Sequence, residues 1–339
     1  MINKLLFLLN ILTGILLLVL FACSYITPRS LPYIQSITLI SPVIIIVNVL
    51  FVVYWLLNVS KNAMFSFCCL LLSLPFSLRL FAYSNTTSIE NSKSIKVMSY
   101  NAHWLQKAKG TQGGYTSEFI DLVNDVNPDI IVFQEMSYAI LKGLKSKYKY
   151  VTYIQDDPGK WHKPIFSKFK ILNYKEIIDV GSFNLQKTYY VDVQVKARTL
   201  RLFNIHLSSF VFEKKVEDLK ARGAKNILHR LDQVFVEHQD QVSILKKEIE
   251  KSPYPVIVAG DFNNNAFSYD YNTIKNANDL KDTFLEKGNG FGSTYKFKYF
   301  PTRIDFVMVA NEFEVISHEV LDTIHFSDHN PILTQLKLN

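Results

Sequence analysis

The chain has 339 residues, in which 37 Lys and Arg stand against 30 Asp and Glu. Only Lys4, Arg29, Lys61 and Arg79 of these fall in residues 1–83, so the remaining chain carries 33 bases against 30 acids, and composition alone does not call for a strongly basic nucleic-acid-binding face. The three cysteines, Cys23, Cys68 and Cys69, lie in the apolar N-terminal part, which excludes a disulfide framework or a thiolate metal cluster in the polar remainder. A cysteine-free polar domain fits either redox compartment, and its length suits one substantial core.

The runs Leu5 to Ile26, Ile37 to Leu57 and Ala63 to Tyr83 each approach the roughly 20 residues that carry a helix across about 30 Å of hydrocarbon. Backbone groups in lipid must pair internally, so three transmembrane helices are expected. Pro42 and Pro75 fall inside the second and third runs, where they kink a helix without excluding a span. Arg79, near the end of the third, is expected to extend toward headgroups. The first run also reads as a cleaved export signal, although it is long for one and starts with a weak basic region. Leu20-Phe21-Ala22 before Cys23 is faintly lipoprotein-like, but Phe21 is bulky.

Lys4 and Lys61 favour the cytoplasm and Arg29 weakens the contrast. Three crossings then make a multi-pass protein of the cell membrane with its polar domain outside the cytoplasm. Residues 84–94, SNTTSIENSKS, read as a tether. The expected division is a three-helix transmembrane region over 1–83, this tether, and a polar domain over 95–339.

Beyond the tether, Ile95 to Tyr100, Asp129 to Phe133, Leu200 to Ile205, Val256 to Ala259 and Ile304 to Val309 are short apolar or alternating runs that predict strands. Helical spacing covers Ser117 to Val126 and Ser137 to Lys145, and Glu213 to Glu250 predicts two helices or one broken helix. Thr188 to Val195 alternates as a strand and leads through a turn into the strand ending at His206. Such a hairpin argues for a sandwich with antiparallel pairs rather than a purely parallel sheet. Neither a glycine-rich dinucleotide loop nor a Walker lysine motif occurs.

Polar islands follow the predicted strands: Tyr100-Asn101, Gln134-Glu135, Asn204-Ile205-His206-Leu207, Gly260-Asp261-Phe262-Asn263, Arg303-Ile304-Asp305-Phe306 and Ser327-Asp328-His329-Asn330-Pro331. Together they supply carboxylates for a hard cation, imidazoles, and amides able to orient phosphoryl oxygens. Taken singly, each has a plain structural reading. Glu135 caps the next helix, Asn101 sits in a turn, Asp261 and Asn263 belong to an Asp-Asn turn, and the histidines are satisfied core residues.

In order and content, YNAHW, IVFQE, NIHL, VIVAGDFN, RIDFVMV and SDHNP resemble the endonuclease/exonuclease/phosphatase superfamily over roughly Ile95 to Asn339. The resemblance implies a four-layer α/β sandwich with two central mixed β-sheets, here preceded by a transmembrane helical region. It implies Mg²⁺, with Mn²⁺ as the alternative, held by Glu135 with Asn101, Asp261 and Asp328 close by. His329 paired with Asp305 contacts the scissile phosphate, and His206 donates to a phosphate oxygen or supports the leaving group. On an extended segment Asp261 and Asn263 share one face, where Asp261 aligns or deprotonates water and the Asn263 carboxamide donates to phosphate and orients Asp261 or its water.

His206 argues against the abasic-endonuclease branch. Relatives carry an arginine three residues before a glutamine on the long helix; here His238 with Gln241 or Arg230 with Gln233 fills that spacing. Lys160-Trp161-His162-Lys163 reads either as an anion-receiving loop or as a solvated one.

The resulting expectation is a membrane-tethered, Mg²⁺-dependent phosphodiesterase or nuclease that attacks with water and forms no covalent intermediate. The substrate is a phosphate ester of DNA, RNA or phospholipid, the other partner is the bilayer, and no obligate protein partner is inferred. A lipid-head-group phosphatase or sphingomyelinase-like enzyme, and a catalytically inactive phosphate-binding module, are the competing readings.

Overall fold

The computed structural model describes residues 2–84, 94–105, 114–152, 163–177, 188–210, 216–297 and 300–339. Lys160, Trp161, His162 and most of the tether lie outside them. The chain forms two compact units. One comprises Met1–Leu80, Ser209–Asp240 and Asn264–Thr273; the other comprises Phe81–Ser208, Gln241–Asn263 and Ile274–Asn339.

Among the described residues the second unit contains twelve strands: β1 Ile95–Asn101, β2 Ile130–Gln134, β3 Tyr150–Thr152, β4 Ile165–Ser167, β5 Lys170–Ile177, β6 Thr188–Val195, β7 Arg198–His206, β8 Val256–Asp261, β9 Lys281–Asp282, β10 Asp305–Val309, β11 Phe313–Val320 and β12 Ile332–Leu338. They make two six-stranded sheets, ordered β11-β12-β1-β2-β4-β3 and β5-β6-β7-β8-β10-β9. Each has one parallel pair at its centre, β1 with β2 and β7 with β8, and antiparallel neighbours outward. The expected sandwich of two mixed sheets is therefore present, with β1 and β2 packed against β7, β8 and β10.

Alternation decides what each face does. Met98 and Tyr100 of β1 and Ile131 and Phe133 of β2 turn outward to meet Phe119 and Val123 of the helix Thr116–Val126, and Ile140 and Leu144 of the helix Tyr138–Leu144. Ser137 caps the second of these through its hydroxyl, which accepts the Ala139 amide. Asn127, at φ 51°, ends the first just before Pro128. The long helix Val216–Glu250 breaks at Gly223, where φ is 76° and ψ 151°, in keeping with the expectation of two helices or one broken helix.

In the first unit the apolar runs depart from three equal spans. The helix Ile2–Cys23 has 22 residues, but Ser41–Leu57 has 17 because Pro42 occupies its first turn, starting the helix instead of kinking it. The third run breaks before Pro75 into Ala63–Leu72 and Leu74–Leu80, bent by 81°. Among the described residues one helix is long and apolar enough to cross a membrane, or two if the bent pair counts as a span.

Apolar side chains face outward here as well as inward, where Leu17, Leu20, Ile45 and Phe76 form a buried cluster. Leu12, Leu50, Leu57 and Leu72 are exposed, whereas Asn10, Asn48 and Ser66 are fully buried. The Ser66 hydroxyl bonds to the carboxamides of Asn10 and Asn48, and Asn48 Nδ2 donates to the Thr13 carbonyl at 3.1 Å, tying the three longest of these helices together. Gly14 permits the approach, since a Cβ there would lie 2.6 Å from the Phe65 ring.

Arg79 does not reach outward as expected. It is 6% exposed, donates to the carbonyls of Pro75 and Ala266, and lies over Tyr271. Arg29 makes a two-pronged pair with Asp240, both bonds 2.6 Å long.

Candidate active site

Cross-strand register assembles the site. β7 and β8 set His206 beside Asp261, and β8 and β10 set Asp261 opposite Asp305, so three ionisable groups line one end of a sheet. In the facing sheet, β1 and β2 set Asn101 beside Gln134, and Glu135 follows at φ 49°, a turn that redirects the chain as the strand ends. Gly260 makes the close passage of β8 and β7 possible: its φ is 142°, and a Cβ would fall 1.9 Å from the Ile205 carbonyl oxygen. Behind the site, Gln134 Nε2 donates to Asn204 Oδ1 at 2.9 Å, and Asn204 Nδ2 donates to the carbonyls of Phe133 and Lys163, joining the sheets.

All eight residues singled out in the sequence join one network. Asn101 Nδ2 donates to Asp261 Oδ2 at 3.0 Å and lies 3.5 Å from Glu135 Oε1. His206 Nε2 is 3.6 Å from Glu135 and 3.8 Å from Asp261. His329 Nδ1 bonds Asp305 Oδ2 at 2.9 Å, and its Nε2 lies 3.8 Å from Asp261 Oδ2. Ser327 Oγ donates to the Asn101 carbonyl and stands 3.2 Å from Asp328 Oδ1, linking the last motif to the first.

Asn263 differs from the extended geometry expected. At φ 48° it turns, so its backbone amide, not its carboxamide, donates to Asp261 Oδ1 at 2.7 Å. Its Nδ2 donates instead to the Leu207 carbonyl. The open choice on the long helix resolves toward Gln241, which accepts the Ser208 amide and donates to the Ser208 hydroxyl. His238 Nδ1 bonds the buried Asp270 carboxylate at 2.8 Å, whereas Gln233 meets His229 on an exposed face.

Two site neighbours were not singled out. His103 Nδ1 lies 3.0 Å from Asp328 Oδ1, and the Tyr295 ring packs edge-on against His329 with centroids 5.0 Å apart. His103 stands within YNAHW, two residues after Asn101, so a signal existed; Tyr295 lies outside every motif.

Burial pushes the Asp261 carboxyl up, and the charge of Asp305 adds to the rise. Burial also raises Glu135, against the attraction of His103 and His329. For His329, burial works to lower the pKa, but the charges of Asp305 and Asp261 outweigh it and push it up to about 10. Burial opposes ionisation of Asp328, yet the bond from His103 holds it below the ordinary carboxylate range, and that same bond raises His103.

Asp261, Asp305 and His329 bring ligand atoms within 4.8 Å of one another. A protonated imidazole has no lone pair to offer, however, so His329 itself fills that position as a cation between two carboxylates. The better fit for a metal is on the more open side, where Glu135 and Asp328 have side chains 29% and 42% exposed. With Asn101 and Asp261 behind them, this is an oxygen-rich donor set, and a hard divalent cation would offset the burial that raises Glu135 and favour its carboxylate form.

Two facing mixed sheets with carboxylates and imidazoles gathered at their strand ends constitute a phosphohydrolase fold. The chain belongs to the Endonuclease/Exonuclease/phosphatase family, which it matches over residues 98–329 and whose members are phosphoesterase hydrolases. Residues 3–80 match a Domain of unknown function (DUF8431).

Among solved structures, an endonuclease/exonuclease/phosphatase from Beutenbergia cavernae is similar at TM-score 0.56 and 16% identity, over 73% of this chain and 72% of that one. The human Nocturnin catalytic domain with bound sulfate anion aligns at 0.52 and 16% identity, over 74% and 97%. A Bacteroides thetaiotaomicron mannosyl-6-phosphatase aligns at 0.52 and 20% identity, over 71% and 99%. A sequence search of curated proteins finds no match.

Proposed function

We propose that this protein is a membrane-tethered, divalent-metal-dependent phosphodiesterase or nuclease that cleaves a phosphate ester by direct attack of water. The observation that carries the reading is the placement of Asp261, whose carboxylate lies within 3.8 Å of both His206 and His329 and accepts from Asn101 and the Asn263 amide.

Glu135 would hold Mg²⁺, or Mn²⁺, with Asp328, Asn101 and Asp261 completing or orienting its oxygen surroundings. When bound, such a cation polarises a phosphoryl oxygen and offsets charge on the departing one. Asp261, raised by burial, is a stronger base than an exposed carboxylate and takes the proton of the attacking water. His329, protonated and fixed by Asp305, donates to a phosphoryl oxygen, while His206 serves the phosphate or the leaving oxygen. One N–H of the Asn263 carboxamide is used on the Leu207 carbonyl, and the other is left for phosphate.

The tether reading is supported by the N-terminal helices, whose apolar side chains cover the outer faces while Asn10, Asn48 and Ser66 bond to one another inside. In this reading residues 1–83 attach the protein to the cell membrane, 84–94 link, and 95–339 form the catalytic domain outside the cytoplasm.

The test is turnover of a synthetic phosphodiester by the full chain in detergent, before and after chelation. Chelation should abolish turnover and Mg²⁺ restore it. Glu135→Gln, which keeps shape and removes charge, should cost about a hundredfold or more without loss of fold. A folded variant with undiminished, metal-dependent turnover would remove Glu135 from the reading, and wild-type turnover indifferent to chelation would remove the metal.

A further inference from the structure

The segment from Gly288 to Phe297 joins two places that the proposed function treats separately. At its start, Ala82 and Gly290 form an antiparallel bridge with reciprocal amide bonds of 3.0 and 2.9 Å, and the Ser84 amide donates to Asn289 Oδ1 at 2.8 Å. Ala82 is the second residue after Leu80, where the apolar helical region ends. At its far end, Tyr295 packs on His329 and the Lys296 amide donates to the Asp328 carbonyl. Between them, Thr294 Oγ1 accepts the amides of Ile304 and Asp305, both at 3.0 Å.

The segment is packed along its length as well as bonded at both ends. Gly292, at φ 58°, lies so close to Phe284 that a Cβ would approach its ring to 2.4 Å, and Arg303 covers the same ring. Four residues lie between Gly290 and Tyr295, and the five steps from one to the other span no more than about 18 Å at full extension. The imidazole assigned to phosphate is therefore a short way along the catalytic unit from Ala82, where that unit begins after the apolar segment.

That point is aromatic and open. Phe81, Tyr83 and Phe291 are 51%, 78% and 40% exposed, and Phe81 meets Phe291 edge-on at 5.4 Å. A tyrosine next to an apolar helix end favours the headgroup layer, with its ring half desolvated and its hydroxyl wet, and exposed phenylalanines beside it add apolar area that enters the headgroup/acyl boundary. We propose that Phe81, Tyr83 and Phe291 seat this end of the domain in the bilayer surface, so that the site acts on phosphoesters of membrane lipids. The inference rests on the proposed hydrolase reading and narrows its substrate. In the reaction, water oxygen bonds to phosphorus, the P–O bond to the departing group breaks, and the proton released by water ends on the departing oxygen.

The full chain reconstituted in phosphatidylcholine vesicles doped with phosphatidylglycerol and sphingomyelin, with Mg²⁺, would be assayed for lipid phosphoester hydrolysis. Bis(p-nitrophenyl) phosphate and single-stranded DNA serve as parallel soluble substrates. Phe291→Ser with Tyr83→Ser should lower lipid turnover about tenfold or more while leaving the soluble diester unaffected, and Phe291→Trp with Tyr83→Trp should retain lipid turnover. Equal loss on lipid and soluble substrates, or no loss on lipid, overturns the inference. Cleavage of DNA or the soluble diester without any lipid cleavage overturns it and leaves the hydrolase reading standing, whereas no metal-dependent turnover in any arm overturns both.

Discussion

His329 illustrates how a single residue is set by its neighbours. Burial alone favours a neutral ring, yet two carboxylates at 2.9 and 3.8 Å make it a cation with a pKa near 10. Its folded pKa then exceeds the ordinary value of about 6.5, so the stability it contributes is fully present below about pH 6.5 and is lost as pH rises toward 10. The slope is up to about 1.4 kcal/mol per pH unit. Asp305→Asn removes the closer charge and should flatten this dependence between pH 7 and 10. Thermal unfolding of the detergent-solubilised protein across that range measures it; identical slopes for variant and wild type would show that Asp305 does not set the charge of His329.

That Asp305 and His329 are candidates was legible at this scale, because RID and SDHNP carry them in plain view, and the structure pairs them. How Asn263 serves was not. Its left-handed φ exchanges the side-chain bond to Asp261 for a backbone one, and a sequence rich in turn-forming asparagines fits either arrangement.

At the scale of elements, strand propensity marked the strands bearing the site, and their observed ends differ by few residues from those expected. Neighbourhood within the sheets was hidden. β7 and β8 lie side by side although the long helix separates them in sequence, and that pairing brings His206 to Asp261. Gly260 is the residue on which the pairing depends. Gly260→Ala would press a methyl into the Ile205 carbonyl at an unfavourable φ, and should destabilise the protein by about 3 kcal/mol or more. Chemical denaturation checks this, and a variant within about 0.5 kcal/mol of wild type would mean that the strands separate without penalty.

Breaks in the apolar runs belong to the same scale. Hydropathy sums over residues and is blind to where a helix starts or bends, so it forecast three comparable spans. Pro42 instead begins a 17-residue helix, and the third run turns by 81° ahead of Pro75.

For the whole molecule, exposed leucines around buried Asn10, Asn48 and Ser66 suit hydrocarbon better than water. The protein should remain in the membrane pellet after alkaline carbonate extraction. Protease added outside intact cells should digest residues 95–339, and protease confined to the cytoplasmic side should not. Release by carbonate would refute integral attachment; digestion from the cytoplasmic side alone would reverse the orientation.

The sequence by itself determined the family and the two-sheet fold and put forward eight candidate residues that the structure gathers into one network, because these reside in local motifs whose order and side-chain chemistry survive without coordinates. Tertiary structure decided the rest. The charge state of His329 depends on carboxylates brought close by strand pairing, His103 gains a role only through contact with Asp328, and Arg79 turns inward to carbonyls that hydropathy does not register. The bridge between Ala82 and Gly290 joins positions more than two hundred residues apart. Such pairings arise from register and burial acting between distant segments, and no local pattern encodes them.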